Sequence, residues 1–166
     1  ILNDIEMASM PLSVGSDDVT GLTVVTSKGA SLSGSVIAAE GSVAKLSTSA
    51  IQIVAQSTDF LPGPLNGRPA RVDDDGNFQL TNLSGQKFIR VQGLPPQWTL
   101  KAVIFNGQDV TDSALEFRGN AEATGLQVIV TDRVITVNGR VTNARGDVTS
   151  DYTVVVFPED SMKWAY

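Results

Sequence analysis

The chain contains no cysteine and no histidine. These absences exclude zinc sites built from thiolate or imidazole, disulfide staples, thiol chemistry, and every mechanism in which a histidine activates a serine or cysteine. Absence of cysteine leaves the compartment open, since a bacterial surface protein can do without disulfides and a cytosolic protein needs none. Basic charge is also scarce. Twelve Lys and Arg stand against 18 Asp and Glu, a net charge of −6, with no basic run. Nucleic-acid affinity rests largely on Lys and Arg neutralising phosphates, so no nucleic-acid partner is expected. The chain has no stretch of about 18 apolar residues. No basic segment leads into an apolar core, so neither a membrane span nor a signal peptide is expected within it. The first residue is Ile rather than Met, as expected of a processed or excised segment.

What is present is a normal globular complement: 42% of residues are hydrophobic, enough to bury a core. The apolar residues form short β-branched or aromatic runs bounded by Gly, Asn, Asp, Ser and Pro. Strands are predicted at "LTVVT" from Leu22, "LSGSVIAA" from Leu32, "AIQIVAQ" from Ala50, "NFQLTNL" from Asn77, "KFIRVQ" from Lys87 and "WTLKAVIF" from Trp98. Three more are predicted at "LQVIVT" from Leu126, "VITVNGRVT" from Val134 and "YTVVVF" from Tyr152. No window of a dozen residues carries an apolar stripe of helical period. Turn chemistry points the same way. "DDDGNF" from Asp73 and "NARGDV" from Asn143 each place a glycine where a tight hairpin needs positive φ. "GLPPQW" from Gly93 joins two prolines that cannot donate to a ladder. Turns at this spacing indicate an all-β sandwich.

An internal repeat organises these elements. Ile1, Asn3, Glu6, Met7 and Leu12 fall on Ile104, Asn106, Asp109, Val110 and Leu115. "GSDDVTGLTVVT" from Gly15 then falls on "GNAEATGLQVIV" from Gly119, "LSGSV" from Leu32 on "VNGRV" from Val137, and "IQIVAQ" from Ile51 on "TVVVFP" from Thr153. The period is about 104 residues, the size of a seven-stranded sandwich. It divides the chain into the C-terminal part of a preceding repeat (1–27), a complete repeat (28–131) and the N-terminal part of a following one (132–166). Each flank is shorter than the roughly 40 residues needed to bury enough surface to fold alone. The flanks are therefore expected to need partners, either neighbouring domains of the same protein or neighbouring copies of the chain.

The motifs "LSGSV", "VNGRV", "TNARGDVTSDYTVVVF", "DDDGNFQLTNL", "GLPPQWTLKAV", "NGQDVTD" and "TGLQVIVTDR", in this order and spacing, resemble the carboxypeptidase regulatory-like or transthyretin-like (prealbumin-like, Ig-like) β-sandwich. The likeness is to its tandem form in bacterial secreted or surface proteins, and it spans essentially the whole chain. It implies a Greek-key sandwich without catalytic machinery, serving as a spacer, stabiliser or interaction module. It also implies an extracellular, cell-surface or periplasmic setting. No cofactor, metal or ligand-contacting residue is carried over by the resemblance. One departure is the strand "KFIRVQ" between the Asp-Gly hairpin and the proline turn, which leaves the order of the edge strands open.

Several residue groups invite a sharper function. Asp73, Asp74 and Asp75 before Gly76 suggest calcium, but the alternating ligand spacing and the later bidentate glutamate are missing, so a solvated hairpin turn is expected. Asp109, Asp112 and Glu116 could be imagined as glycosidase carboxylates. The earlier copy keeps Glu6 for Asp109 but has Ser9 and Ser13 for Asp112 and Glu116, so a strand end, an Asn106-Gly107 turn and a short return strand are expected instead. Trp98, Trp164, Phe60 and Tyr166 could stack on sugar rings. Trp98 is expected in the core, while Trp164 and Tyr166 are better placed to be exposed. No glycine-rich elbow surrounds a serine and no phosphate-cradling loop leads into a helix.

The sequence thus leads to a non-enzymatic structural or protein-interaction module. Two alternatives remain open: a subunit of an extracellular filament assembled by strand exchange between neighbouring chains, and a carbohydrate-binding module.

Overall fold

β-Branched and aromatic residues that alternate with polar ones, between turn-forming residues, favour a half-buried pleated surface. The computed structural model describes residues 6–8, 10, 12–16, 18–58 and 68–160, and these form strands without any helix. In chain order they are β1 (Glu6–Met7), β2 (Ser27–Lys28), β3 (Ala30–Ala38), β4 (Gln52–Ser57), β5 (Ala70–Arg71) and β6 (Asn77–Leu83). After them come β7 (Gly85–Gln92), β8 (Thr99–Phe105), β9 (Gln108–Asp109), β10 (Leu115–Phe117) and β11 (Glu122–Thr131). One sheet has the order β6-β3-β11-β8-β9, the other β10-β7-β4-β5, and β1 pairs with β2 apart from both. The fold is the all-β sandwich expected from the sequence.

The inner faces meet in one apolar core. Leu32, Val36, Phe78, Leu80, Val103, Leu126, Val128 and Val130 of the five-stranded sheet pack with Ile53, Ala55, Ile89 and Phe117 of the four-stranded one. Period-two alternation selects most of these residues: in β6, Phe78 and Leu80 are buried while Asn77, Gln79 and Thr81 are exposed, and a register irregularity at Asn82, with φ 59°, turns Leu83 inward in its place. Burying each large aliphatic side chain contributes about 1.5–3 kcal/mol.

The long strands β3 and β11 lie side by side and parallel, with Leu126 opposite Gly34, Val128 opposite Val36 and Val130 opposite Ala38. All other ladders are antiparallel. Gly34 marks the closest approach in this region. A Cβ there would lie 2.3 Å from the Leu126 carbonyl oxygen and 2.7 Å from the Phe78 ring, so the ring of the β6 partner covers the space a side chain would fill.

Two departures from the sequence expectations have physical causes. The runs from Leu22, Val134 and Tyr152 form no ladder, and beyond Arg133 the described residues contribute only an isolated bridge between Thr142 and Val148. Propensity favours an extended backbone, but a strand exists only where a second backbone supplies donors and acceptors. Among the described residues the runs from Leu22 and Tyr152 join no ladder and that from Val134 reaches only a bridge at Thr142, whereas the run from Leu126 lies between β3 and β8. The other departure settles an open point: β7, the "KFIRVQ" strand, is not an edge but the second strand of its sheet, between β10 and β4.

The chain divides into two compact units, Ile1–Arg133, which holds the sandwich, and Val134–Tyr166.

Candidate interaction segments

Side chains that the sandwich buries align in sequence with residues that stand in solvent. Leu126 is 0% exposed while its counterpart Leu22 is 50% exposed, and Ile53 is 0% exposed while Val155 is 71% exposed. Val24 against Val128, Val137 against Leu32 and Phe157 against Ala55 repeat the contrast. Among the described residues, every large exposed apolar side chain except Ile37 and Val43 lies in 10–25 or 134–157. Scattered exposed apolar residues are ordinary on a protein surface, but a concentration in β-prone segments marks surface made to be covered. These segments are the candidate functional site.

The acidic group at 109–116 lies in the turns between β9 and β10. Asn106 and Gly107, with φ of 50° and 77°, form a two-residue hairpin turn that places Phe105 opposite Gln108. Asp109 Oδ1 accepts hydrogen bonds from the Thr111 amide at 2.9 Å and the Thr111 hydroxyl at 2.6 Å. The Thr111 hydroxyl oxygen in turn accepts the Val103 amide at 2.9 Å, and the Thr111 carbonyl accepts Arg90 Nη1 at 2.7 Å. Arg90 lies over the Phe88 ring at 4.7 Å. These bonds fix the chain where it crosses from β9 in one sheet to β10 in the other. There Phe117 is buried, while Glu116 reaches outward to an exposed Arg118 at 3.2 Å. Asp112 is exposed to water.

Asp73, Asp74 and Asp75 form a tight turn, but not the hairpin expected from the sequence: it carries the chain from β5 in one sheet to β6 in the other. Asp73 Oδ1 accepts the amides of Asp75 at 3.0 Å and Asn77 at 2.7 Å, while its carbonyl accepts Gly76 N at 3.0 Å. Gly76 has φ 85°. The turn at 143–147 has the same wiring: Asn143 Oδ1 accepts the amides of Arg145 at 2.9 Å and Asp147 at 3.0 Å, and Gly146 has φ 86°. A neutral amide oxygen accepts at 143 the same two backbone amides that the carboxylate accepts at 73. Among the described residues, no three acidic side chains converge where a cation could sit.

Of the aromatic residues, Trp98 is in the core, its amide donating to the Pro95 carbonyl at 2.8 Å across the proline turn. Phe60, Trp164 and Tyr166 lie outside the described residues. An open depression of about 670 Å³ on the sandwich is lined by polar groups including Ser33, Ser35, Arg71, Asn77, Gln79 and Gln127. The aromatic ring that borders it, Phe78, is buried and presents no platform for a sugar face.

Three features escaped the reading of the sequence. Lys87 is 2% exposed, on the inward face of β7, with Nζ donating to Ser57 Oγ on the adjacent strand. The alternation Lys87, Ile89, Val91 in "KFIRVQ" is the signal that places it inside. Asp132 Oδ2 accepts the amides of Ala44 at 2.7 Å and Val43 at 2.8 Å, and Arg133 Nε donates to the Gly41 carbonyl at 3.1 Å. The Ala44 amide foremost, then that of Val43, holds the Asp132 carboxyl below its ordinary value. No local pattern betrays a contact spanning nearly ninety residues. Finally, Ser42 and Lys45 have the spacing of a serine–lysine pair, but such a pair relies on a helical turn to face its members together, and residues 42–45 lie in a loop. The Ser42 hydroxyl is shielded from solvent and faces the Asp132 carboxyl, which it helps to hold below its ordinary value.

The chain matches no family profile and no curated protein. Among solved structures it is similar to the crystal structure of a DUF3823 family protein from Parabacteroides merdae, at 17% sequence identity and a TM-score of 0.34. That similarity covers 63% of this chain and 47% of the other, so the chain spans about half the length of its structural neighbour. Among the described residues no helix is long and apolar enough to cross a membrane.

Proposed function

We propose that this chain is a non-enzymatic structural or protein-interaction module of a secreted or cell-surface multidomain protein. In this reading it is built from transthyretin-like sandwich repeats of about 104 residues. Residues 28–131 are a complete repeat, 1–27 the end of a preceding one, and 132–166 the start of a following one. The observation that carries the reading is the exposure, in both flanks, of apolar positions whose counterparts fill the core. Support also comes from the backbone. Gly21 and Gly125, aligned by the repeat, share the left-handed conformation with φ of 75° and 84°, as do Gly41 and Gly146 with 79° and 86°. The extracellular, cell-surface or periplasmic setting follows from the family resemblance.

Limited proteolysis tests the reading. Protease should trim the chain from both sides and stop at a core bounded near Lys28 and Arg133. That core should still unfold in one cooperative transition. A core that loses its fold once the flanks are removed would overturn the assignment of 28–131 as a complete repeat. A hydrolytic activity abolished by a single polar substitution on the sandwich would overturn the non-enzymatic role.

A further inference from the structure

Resting on the reading of the chain as an extracellular interaction module, we propose that Arg145, Gly146 and Asp147 form a recognition tip for a protein receptor whose site pairs an acidic pocket with a bound divalent cation. The tip is the apex of a tight turn. Asn143 Oδ1 accepts the Arg145 and Asp147 amides at 2.9 and 3.0 Å, the Asn143 carbonyl accepts the Gly146 amide at 2.9 Å, and the Asn143 amide donates to the Asp147 carbonyl at 2.9 Å. Behind the turn, Thr142 bridges to Val148, and the Thr149 amide donates to the Val141 carbonyl at 3.3 Å. Gly146, with φ 86°, takes the left-handed conformation that a side chain disfavours. Arg145 and Asp147 stand on either side of it, and all three residues are exposed. Among the described residues the Arg145 guanidinium has no partner, and the Asp147 carboxylate has only a long contact, 3.4 Å from Asn143 Nδ2 to Oδ2.

The turn does not need these two side chains. In the turn at 73–77, wired in the same way, Asp75 and Asn77 stand where Arg145 and Asp147 do. In the repeat alignment Glu40, Gly41 and Ser42 take the corresponding places in the loop after β3, where Glu40 and Gly41 are exposed. A complete sandwich thus leaves this position at its surface, and the opposite charges around Gly146 are particular to the 143–147 turn. Their chemistry selects the partner. A guanidinium presents a planar fork that matches a carboxylate, and a free carboxylate oxygen is a ligand for a magnesium or calcium ion whose other positions the receptor fills. The pair carries no net charge, so a surface of one sign gains nothing from it, whereas a site holding both an acidic pocket and a cation engages both ends at once. The hydrogen bonds of the turn fix the two residues beforehand, which lowers the entropic cost of docking.

The probe is the purified ectodomain of an integrin that binds linear Arg-Gly-Asp peptides, a receptor of this two-part chemistry, passed over the immobilised full-length chain in millimolar magnesium. Binding should saturate, vanish in EDTA and be competed by the linear peptide. Asp147→Glu keeps the charge but moves the carboxylate out by one methylene, and it should weaken binding about tenfold or more, as expected when a central contact of an interface is lost. Arg145→Asp, which copies Asp75 of the 73–77 turn, should weaken it as much. Glu40→Ala, on the loop without the charged pair, should leave binding unchanged. Both turn variants should keep the amide shifts of Asn143 and Gly146, because main-chain groups and the Asn143 oxygen carry the turn. A wild-type chain without saturable binding overturns the proposal, and so does binding that persists in EDTA or is equally tight for Asp147→Glu. The proteolysis test of the proposed function reads a core that ends before this turn, so either reading can fail without the other.

Discussion

Asp132 and Ala44, separated by most of the sandwich in sequence, are joined by a hydrogen bond of 2.7 Å from the Ala44 amide to Asp132 Oδ2. The same oxygen takes the Val43 amide, and Arg133 holds the Gly41 carbonyl from the next position. The residues that follow β11 are thereby tied to the loop that follows β3. The parallel pair is clasped at the end where its two strands finish together.

Asp132→Asn separates the charge from the geometry, since the amide oxygen still accepts. The folded carboxyl titrates below its ordinary value of 3.8, so its contribution is fully present above that value and is lost as the pH falls through the lower folded one. Thermal unfolding should therefore show wild type above Asp132→Asn by a margin that is constant from neutral pH to about pH 5 and shrinks below it. A margin that grows on acidification would contradict the clasp.

Leu126→Ala and Leu22→Ala delete the same atoms at counterpart positions. The first empties a fully buried site and should cost about 2–5 kcal/mol. The second trims a half-exposed side chain and should change the stability of the dilute chain by no more than about 0.5 kcal/mol. Urea unfolding of both variants measures the difference.

Gly34→Ala and Gly139→Ala form a similar contrast. At Gly34 the new methyl meets the Leu126 carbonyl oxygen and the Phe78 ring, and the expected loss is about 1–3 kcal/mol. A Cβ on Gly139 meets nothing within 4 Å, so the dilute chain should tolerate the change within about 0.5 kcal/mol. Denaturant midpoints of the two variants against wild type are the measurement.

Asp73→Ala removes the oxygen that accepts two turn amides and should cost about 1–2 kcal/mol. Asp73→Asn should be close to neutral, because Asn143 makes the same two bonds in the second turn. Calcium at millimolar concentration should leave the melting temperature unchanged, since Asp73 Oδ1 is already engaged by backbone amides. A calcium-dependent rise in melting temperature would instead identify the turn as a cation site.

Much of the architecture was legible in the sequence because its causes are local. The Asn106-Gly107 and Asp75-Gly76 pairs dictate positive φ, and alternation along "NFQLTNL" marks which side chains turn inward. The turn residues around Asn106 likewise marked a strand end and a short return strand, and β8, β9 and β10 stand there.

What only the tertiary structure decided is which β-prone runs become strands, and why Lys87 and Asp132 matter. "LTVVT" from Leu22 and "LQVIVT" from Leu126 have nearly the same pattern, yet one is solvent-exposed and unpaired and the other fills the middle of a five-stranded sheet. Pattern sets the conformation a segment favours and the face it would bury. The partner backbone that satisfies its amides and carbonyls comes from elsewhere in the chain or from another molecule, and that is a property of the assembled fold rather than of any stretch of sequence.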